Sequence, residues 1–183
     1  MRLHAIFLSV LLLSFAGGAS WAQQAVPDTL LFVFKLHGQT RKYQMSFQNR
    51  QDTLVLTWGI ERNLHWQTGT YTMLPASTEK AVSLTFLQPE DGRHVTLPAH
   101  ETAFVLSRKS YRELKAAREF VYNQTRYRLL DTQTQALDTS LLHVKDDAEG
   151  AEMWILDNSA LPLVWKMQNN PLEINWEAQA EIR

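Results

Sequence analysis

The sequence predicts a mostly β protein: a curved antiparallel sheet or open half-barrel of about ten strands, with one main α-helix over about 108–119, after an N-terminal signal peptide. Three observations carry this expectation. Apolar and polar residues alternate at period two through most of the chain after Asp28, the spacing that sends successive side chains to opposite faces of a strand. Turn-forming residues interrupt these runs at short intervals. Only 108–119 combines helical spacing with a stretch free of Gly and Pro.

Taken in order, Tyr43, Met45 and Phe47 alternate with Lys42, Gln44, Ser46 and Gln48. The pattern returns in Leu54, Leu56, Trp58 and Ile60, in Val82, Leu84 and Phe86, and in Leu163, Trp165 and Met167. It returns again in Leu172, Ile174 and Trp176 against Glu173, Asn175 and Glu177. One polar face per strand points to antiparallel sheet rather than to a parallel sheet buried on both sides. The separating turns are His37-Gly38, Asn49 to Asp52, Pro75 to Glu79, Pro89 to Gly92, Asp146 to Gly150 and Asn169-Asn170-Pro171.

In the helical stretch, Tyr111, Leu114 and Lys115 share a face. Ser107 suits the N-cap, and Ser110 with Glu113 has capping-box spacing if the helix starts three residues later. A helix of about three turns is marginal by itself, so Tyr111, Leu114 and Ala117 are expected to dock on the sheet. The chain also resembles itself at an offset of about 85 residues: Phe34 to Tyr43 against Phe120 to Tyr127, and Asp52-Thr53 against Asp138-Thr139. This would divide a single domain, 23–183, into two related halves, about 28–100 and 118–177. Chance likeness between hairpins is the competing reading.

The first 22 residues have the parts of a signal peptide in order: Arg2 and His4, an apolar run from Ala5 to Ala16, and Ser20-Trp21-Ala22. Cleavage after Ala22 is expected. A retained anchor is the alternative, although the apolar run falls short of the ~20 residues that span a bilayer. The sequence has no cysteine, so neither a lipid-modified thiol nor a disulfide is available to the mature chain. An exported chain without disulfides suggests a periplasmic or extracellular domain of bacterial type. Its 161 remaining residues suffice for one packed core. The leader holds one basic residue and no acid, so 17 basic residues then face 19 acidic ones. That near-neutral balance lacks the basic face of a nucleic-acid binder. The densest basic group, Arg108, Lys109, Arg112, Lys115 and Arg118, is interrupted by Glu113 and Glu119 and reads as a solvated helix face.

Chemistry-bearing patterns are few. The two Asp-Thr pairs suggest the paired aspartates of an aspartic protease. Those enzymes need a small residue next, normally Gly, where this chain has Leu54 and Ser140. His37, His65, His94, His100 and His143 are scattered without metal-ligand spacing. Asp146, Asp147, Glu149 and Glu152 surround Gly150 but lack the order of a calcium loop, so a solvated hairpin tip is expected there. No Gly-x-Ser-x-Gly elbow, Ser-x-x-Lys pair or glycine-rich phosphate loop occurs. Asn123-Gln124-Thr125 has the form of a glycosylation acceptor and is read as a hairpin turn. No catalytic residue, metal or cofactor is expected from these patterns. Trp58, Trp165 and Trp176 fall in phase with aliphatic neighbours and are expected in the core. In Met153-Trp154-Ile155-Leu156 both faces of one strand are apolar, which suits a strand under the helix, or else one along a ligand cleft.

Two stretches, Phe104 to Lys115 and Met153 to Trp176 with its Leu161-Pro162-Leu163-Val164-Trp165 and Asn170-Pro171-Leu172, resemble uncharacterised secreted proteins of Gram-negative bacteria. These are similar in strand plan to the periplasmic lipoprotein-carrier fold. The resemblance implies a half-barrel of about eleven antiparallel strands with helices in its concave side. The carriers have more helix than the one legible here, and neither stretch transfers a site residue.

The functional expectation is a non-catalytic extracytoplasmic binding or interaction domain, with an apolar ligand or a cell-envelope protein as partner and no direct membrane anchor after leader cleavage. The candidate ligand-binding residues are Phe104, Tyr111, Leu114, Trp154 and Leu156. One alternative is a hydrolase whose site assembles from Asp52, Asp138, His143 and Glu61. The other is a structural subunit of an envelope complex that offers an edge strand.

Overall fold

The computed structural model describes residues 28–86, 89–134 and 140–180. The leader with its cleavage position, and Asp138-Thr139, lie outside the described residues. Thirteen strands and two helices follow one another: β1 (Leu30–Leu36), β2 (Gln39–Arg50), β3 (Thr53–Arg62), β4 (His65–Met73), α1 (Pro75–Lys80), β5 (Ser83–Leu84), β6 (His94–Thr96), β7 (Glu101–Thr102), α2 (Arg108–Ala117), β8 (Glu119–Tyr122), β9 (Thr125–Thr134), β10 (Ser140–Asp146), β11 (Glu152–Leu156), β12 (Val164–Gln168) and β13 (Ile174–Ala180). Eleven of the strands form one curved open sheet in the order β6-β4-β3-β2-β1-β13-β12-β11-β10-β9-β8. The fold is therefore the large open β structure with one main helix that the period-two alternation predicts.

Period two sorts the sheet into an inner and an outer face. Phe32 lies opposite Tyr43 on one side and Ala178 on the other, and Phe34 lies opposite Trp176. Met45 faces Trp58, Leu56 faces Tyr71, and Met153 faces both Val144 and Met167. Most apolar side chains in these inner rows are buried, while Leu36, Phe47, Leu129 and Ile174 are partly so. The outer rows carry Lys42, Ser46, Thr57, Thr70, Lys166 and Glu177, which are exposed or half-buried. The first strand sits at the middle of the sheet, zipped to the last over seven residue pairs, so the two ends of the described chain seal the seam between its halves.

Among the described residues four hairpins close with two-residue turns in which both residues have positive φ: His37-Gly38, Gln51-Asp52, Asn63-Leu64 and Asn123-Gln124. This is the turn whose twist matches that of the flanking strands. The first and last of the four occupy equivalent places in the self-similar stretches.

Several local expectations are corrected. The sheet is antiparallel except at its β4–β6 edge, and the separate pair β5–β7 is also parallel. Pro75 to Glu79 forms the short helix α1 rather than a turn, with Pro75 in the first helical turn, where a missing N–H costs nothing. Of Val82, Leu84 and Phe86 only Leu84 is in a strand, and Leu172 is an exposed turn residue because Glu173 (φ 54°) breaks the alternation before β13. In β12 the register shifts between Trp154↔Lys166 and Ile155↔Val164, leaving Trp165 as an unopposed bulge residue, so Val164 and Trp165 are both buried. Helix α2 begins as expected, with the Ser107 hydroxyl accepting from the Ser110 N–H. It stops at Ala117 because Arg118 takes the left-handed conformation (φ 61°) and donates its N–H to the Leu114 carbonyl.

Candidate functional site

Between α1 and α2 the chain crosses the inner face as a strap, residues 103–106. The Ala103 N–H donates to Met73 Sδ of β4 (3.3 Å), the Val164 N–H of β12 donates to the Phe104 carbonyl (2.7 Å), and the Leu106 N–H donates to Pro162 O (3.0 Å). The strap thus bridges both halves of the sheet. Phe104 sits in it with φ 60°, a conformation that costs a bulky L-residue about 1–2 kcal/mol. That turn drives its ring into the sheet, with centroids 5.3 Å from Phe32, 5.8 Å from Phe34 and 5.3 Å from Trp176, each roughly edge-on.

Beside this ring lies a cavity of about 140 Å³. Its floor is the inner face of the sheet: Phe34 from β1, Tyr43 and Met45 from β2, Trp58 from β3 and Trp176 from β13. Its roof is Thr85, Phe86 and Pro89 with Phe104, and Leu36 and Ile174 close one side. Aromatic rings dominate, and they pack edge to face, as between Phe34 and Tyr43 (5.4 Å, 82°) and between Tyr43 and Trp58 (6.1 Å, 77°). Gly69 lies opposite Trp58 and leaves room for it: a Cβ there would stand 2.6 Å from the Trp58 ring and 2.5 Å from Arg93 O.

Polar groups converge at one end. The inner row of β2 runs Gln39, Arg41, Tyr43, Met45 and Phe47, and that of β3 ends on Arg62 after Leu54, Leu56, Trp58 and Ile60. Because β2 and β3 are antiparallel, the two arginines come to the same end of the cavity, which both line. Arg62 Nη2 donates to the Tyr43 hydroxyl (3.5 Å), and Arg41 Nη2 donates to Gln39 Oε1 (3.2 Å). Tyr71, another lining residue, has its hydroxyl pushed up to about 12 by burial and by Tyr43 and Glu90, against the lowering effect of Arg93.

Of the five residues expected from sequence to line a ligand site, Phe104 lines this cavity and the other four do not. Tyr111 is tied by its hydroxyl to Asp157, and Leu114 is fully buried under α2. Trp154 and Leu156 occupy the side of β11 opposite Met153 and Ile155. There Trp154 stacks on His143 (4.2 Å, 8°), with Lys166 Nζ 4.8 Å from its ring. The other lining residues of β2 and β3 had a signal in the sequence: period-two apolar runs with an arginine in phase beside them, Arg41 before Tyr43 and Arg62 after Ile60.

The outer face carries a second cluster. His143 Nε2 is 2.8 Å from Glu152, and Nδ1 is 3.3 Å from Asp131 but without hydrogen-bond geometry, so Nδ1 has no hydrogen-bond partner. Burial works to raise the Glu152 carboxyl, but His143 and Lys145 hold it below its ordinary value. Asp52 lies in the β2–β3 turn and Glu61 near the end of β3, whereas His143 is in β10, and Asp138 lies outside the described residues. None of the cluster lines the aromatic cavity. Asp146 is used internally: Oδ1 accepts from the N–H groups of Ala148, Glu149 and Gly150, and Oδ2 from that of Ala151. Among the described residues no three His, Asp or Glu side chains converge as a metal-ligand group, and no helix is long and apolar enough to cross a membrane. Comparison with known proteins yields no matching family model, no matching curated protein and no matching solved structure.

Proposed function

We propose that the chain is a non-catalytic extracytoplasmic binding domain that takes an apolar group into the cavity between the sheet and the Phe104 strap. The observation that carries this reading is the aromatic lining of that cavity, at about 140 Å³ close to the volume that accepts a benzene-sized apolar group in a protein core. A concave apolar site with a few convergent polar groups is the usual form of a small-ligand pocket. The strained Phe104 supports it further, since backbone strain of this kind concentrates where a structure is held ready for a ligand. The eleven-stranded open sheet and the helices on its inner face support the likeness in plan to the lipoprotein-carrier half-barrel.

Calorimetric titration with toluene, a neutral probe matched to the cavity, tests the reading, and Trp58 and Trp176 in the lining report its arrival by a change in emission. One toluene per chain with altered tryptophan emission is expected. Ile174→Trp, which puts a large ring into the lining, should weaken binding at least ten-fold, and Val121→Trp on the exposed edge strand β8 should not. Failure of the wild-type chain to take up the probe, or equal binding by both variants, would remove the cavity as a ligand site.

A further inference from the structure

We infer that the ligand is a single-tailed amphiphilic anion, its tail among the cavity's aromatic rings and its carboxylate or phosphate held by Arg41 and Arg62. This rests on the binding-site reading above and adds the chemistry of the ligand's polar end. Both arginines line the cavity and flank, at the same end, the apolar stretches Tyr43-Met45-Phe47 and Leu54-Leu56-Trp58-Ile60 of the inner rows of β2 and β3. Arg62 is exposed and Arg41 half-buried, so they mark the boundary between the dry lining and water. An amphiphile changes from apolar to charged at such a boundary.

Their pairing points the same way. Among the described residues Arg93, Arg108, Arg112, Arg126 and Arg128 each have a carboxylate within ion-pair distance. Arg41 and Arg62 have neutral partners, Gln39 and the Tyr43 hydroxyl. Arg50 and Arg118 also lack a carboxylate, but neither lines this cavity. Glu90, whose charge reaches Tyr71, is itself paired with Arg93 at 2.7 Å. The guanidinium groups at the mouth therefore keep donors for an incoming anion, and a guanidinium binds carboxylate or phosphate through paired N–H groups. With the Tyr43 hydroxyl beside Arg62, the mouth offers cationic and neutral donors, and no acid is among the residues that line the cavity. The cavity volume limits the buried part to one narrow chain or ring, which excludes a two-chain lipid.

Calorimetric titration of the full mature chain with octanoate, octyl phosphate, 1-octanol, acetate and inorganic phosphate decides the matter. Octanoate and octyl phosphate are expected to bind at least ten-fold tighter than 1-octanol. In Arg41→Met/Arg62→Met that ratio should collapse towards one, with far-UV circular dichroism and Tm verifying that the variant is folded. Acetate and inorganic phosphate should show no measurable binding, which would place the tail in the cavity. If 1-octanol matches octanoate, or if the anion preference survives in the folded double variant, the anionic inference fails while the cavity remains a binding site. If inorganic phosphate binds as well as octyl phosphate, the ligand is a free anion and the amphiphile is wrong. If none of the eight-carbon probes binds, the binding-site reading itself has failed.

Discussion

The Tyr111 hydroxyl donates to Asp157 Oδ1 at 2.6 Å, tying the buried face of α2 to the end of β11, 46 residues further along the chain. Lys115 reaches the same carboxylate from one turn later, 2.8 Å from Oδ2. Burial and the Asp157 charge both push the Tyr111 hydroxyl well above its ordinary value, so it remains a donor. Hydrogen bonds to charged groups contribute about 1.5–3 kcal/mol, and exposed ion pairs well under that. Tyr111→Phe should therefore lower stability by roughly 1.5 kcal/mol in urea unfolding, and Lys115→Ala by less than about 1 kcal/mol. Equal effects would show that the ion pair, not the hydroxyl, anchors the helix.

Asp146 gives the chain an acid-sensitive loop. Burial by itself would raise its carboxyl, but four backbone N–H donors outweigh this and hold it below its usual value. A carboxyl depressed in the folded state adds stability that is complete above the unfolded value of about 3.9 and is lost as pH falls through the folded value. Asp146→Asn loses the charged acceptor of these bonds and should be less stable than the parent by about 1.5–3 kcal/mol at neutral pH, the range for hydrogen bonds to charged groups, with the gap closing in strong acid. Urea midpoints measured from pH 7 down to pH 2 would reveal it, and a gap independent of pH would contradict it.

Gly69 is a close-approach site rather than a turn. A methyl group there meets the Trp58 ring at 2.6 Å and the fixed Arg93 carbonyl at 2.5 Å, so the sheet or the indole must shift. Gly69→Ala is expected to cost more than about 2 kcal/mol, in the range of core overpacking. It should also shift the Trp58 emission and weaken probe binding in the cavity that Trp58 floors. An unchanged emission spectrum would mean that the strand absorbs the methyl elsewhere.

Phe104 separates side-chain packing from backbone strain. Phe104→Ala and Phe104→Gly both remove the ring, but only glycine relieves the left-handed backbone. The glycine variant should be more stable than the alanine variant by about 1 kcal/mol, although both fall below the parent through loss of the contacts with Phe32, Phe34 and Trp176. Thermal unfolding of the three proteins would show the order. Alanine above glycine would mean that the strap relaxes out of the positive-φ conformation once the ring is gone.

Much of the architecture was written in local pattern. The alternation in Tyr43, Met45 and Phe47, and in Leu54, Leu56 and Trp58, already separates an inner from an outer face, because a strand's period of two needs no tertiary information. Ser107 marks the start of α2 for the same reason: a hydroxyl that caps a helix acts within three residues. What lay beyond sequence was which strands become neighbours and where one chain segment crosses another. Nothing local in Leu30 to Leu36 says that this strand pairs with Ile174 to Ala180 at the middle of the sheet. Nor does anything local turn Phe104 into the cavity, bulge Trp165, or bring Arg41 and Arg62 to one mouth. Those outcomes depend on contacts between residues far apart in sequence, and such contacts form only once the whole sheet has closed around its core.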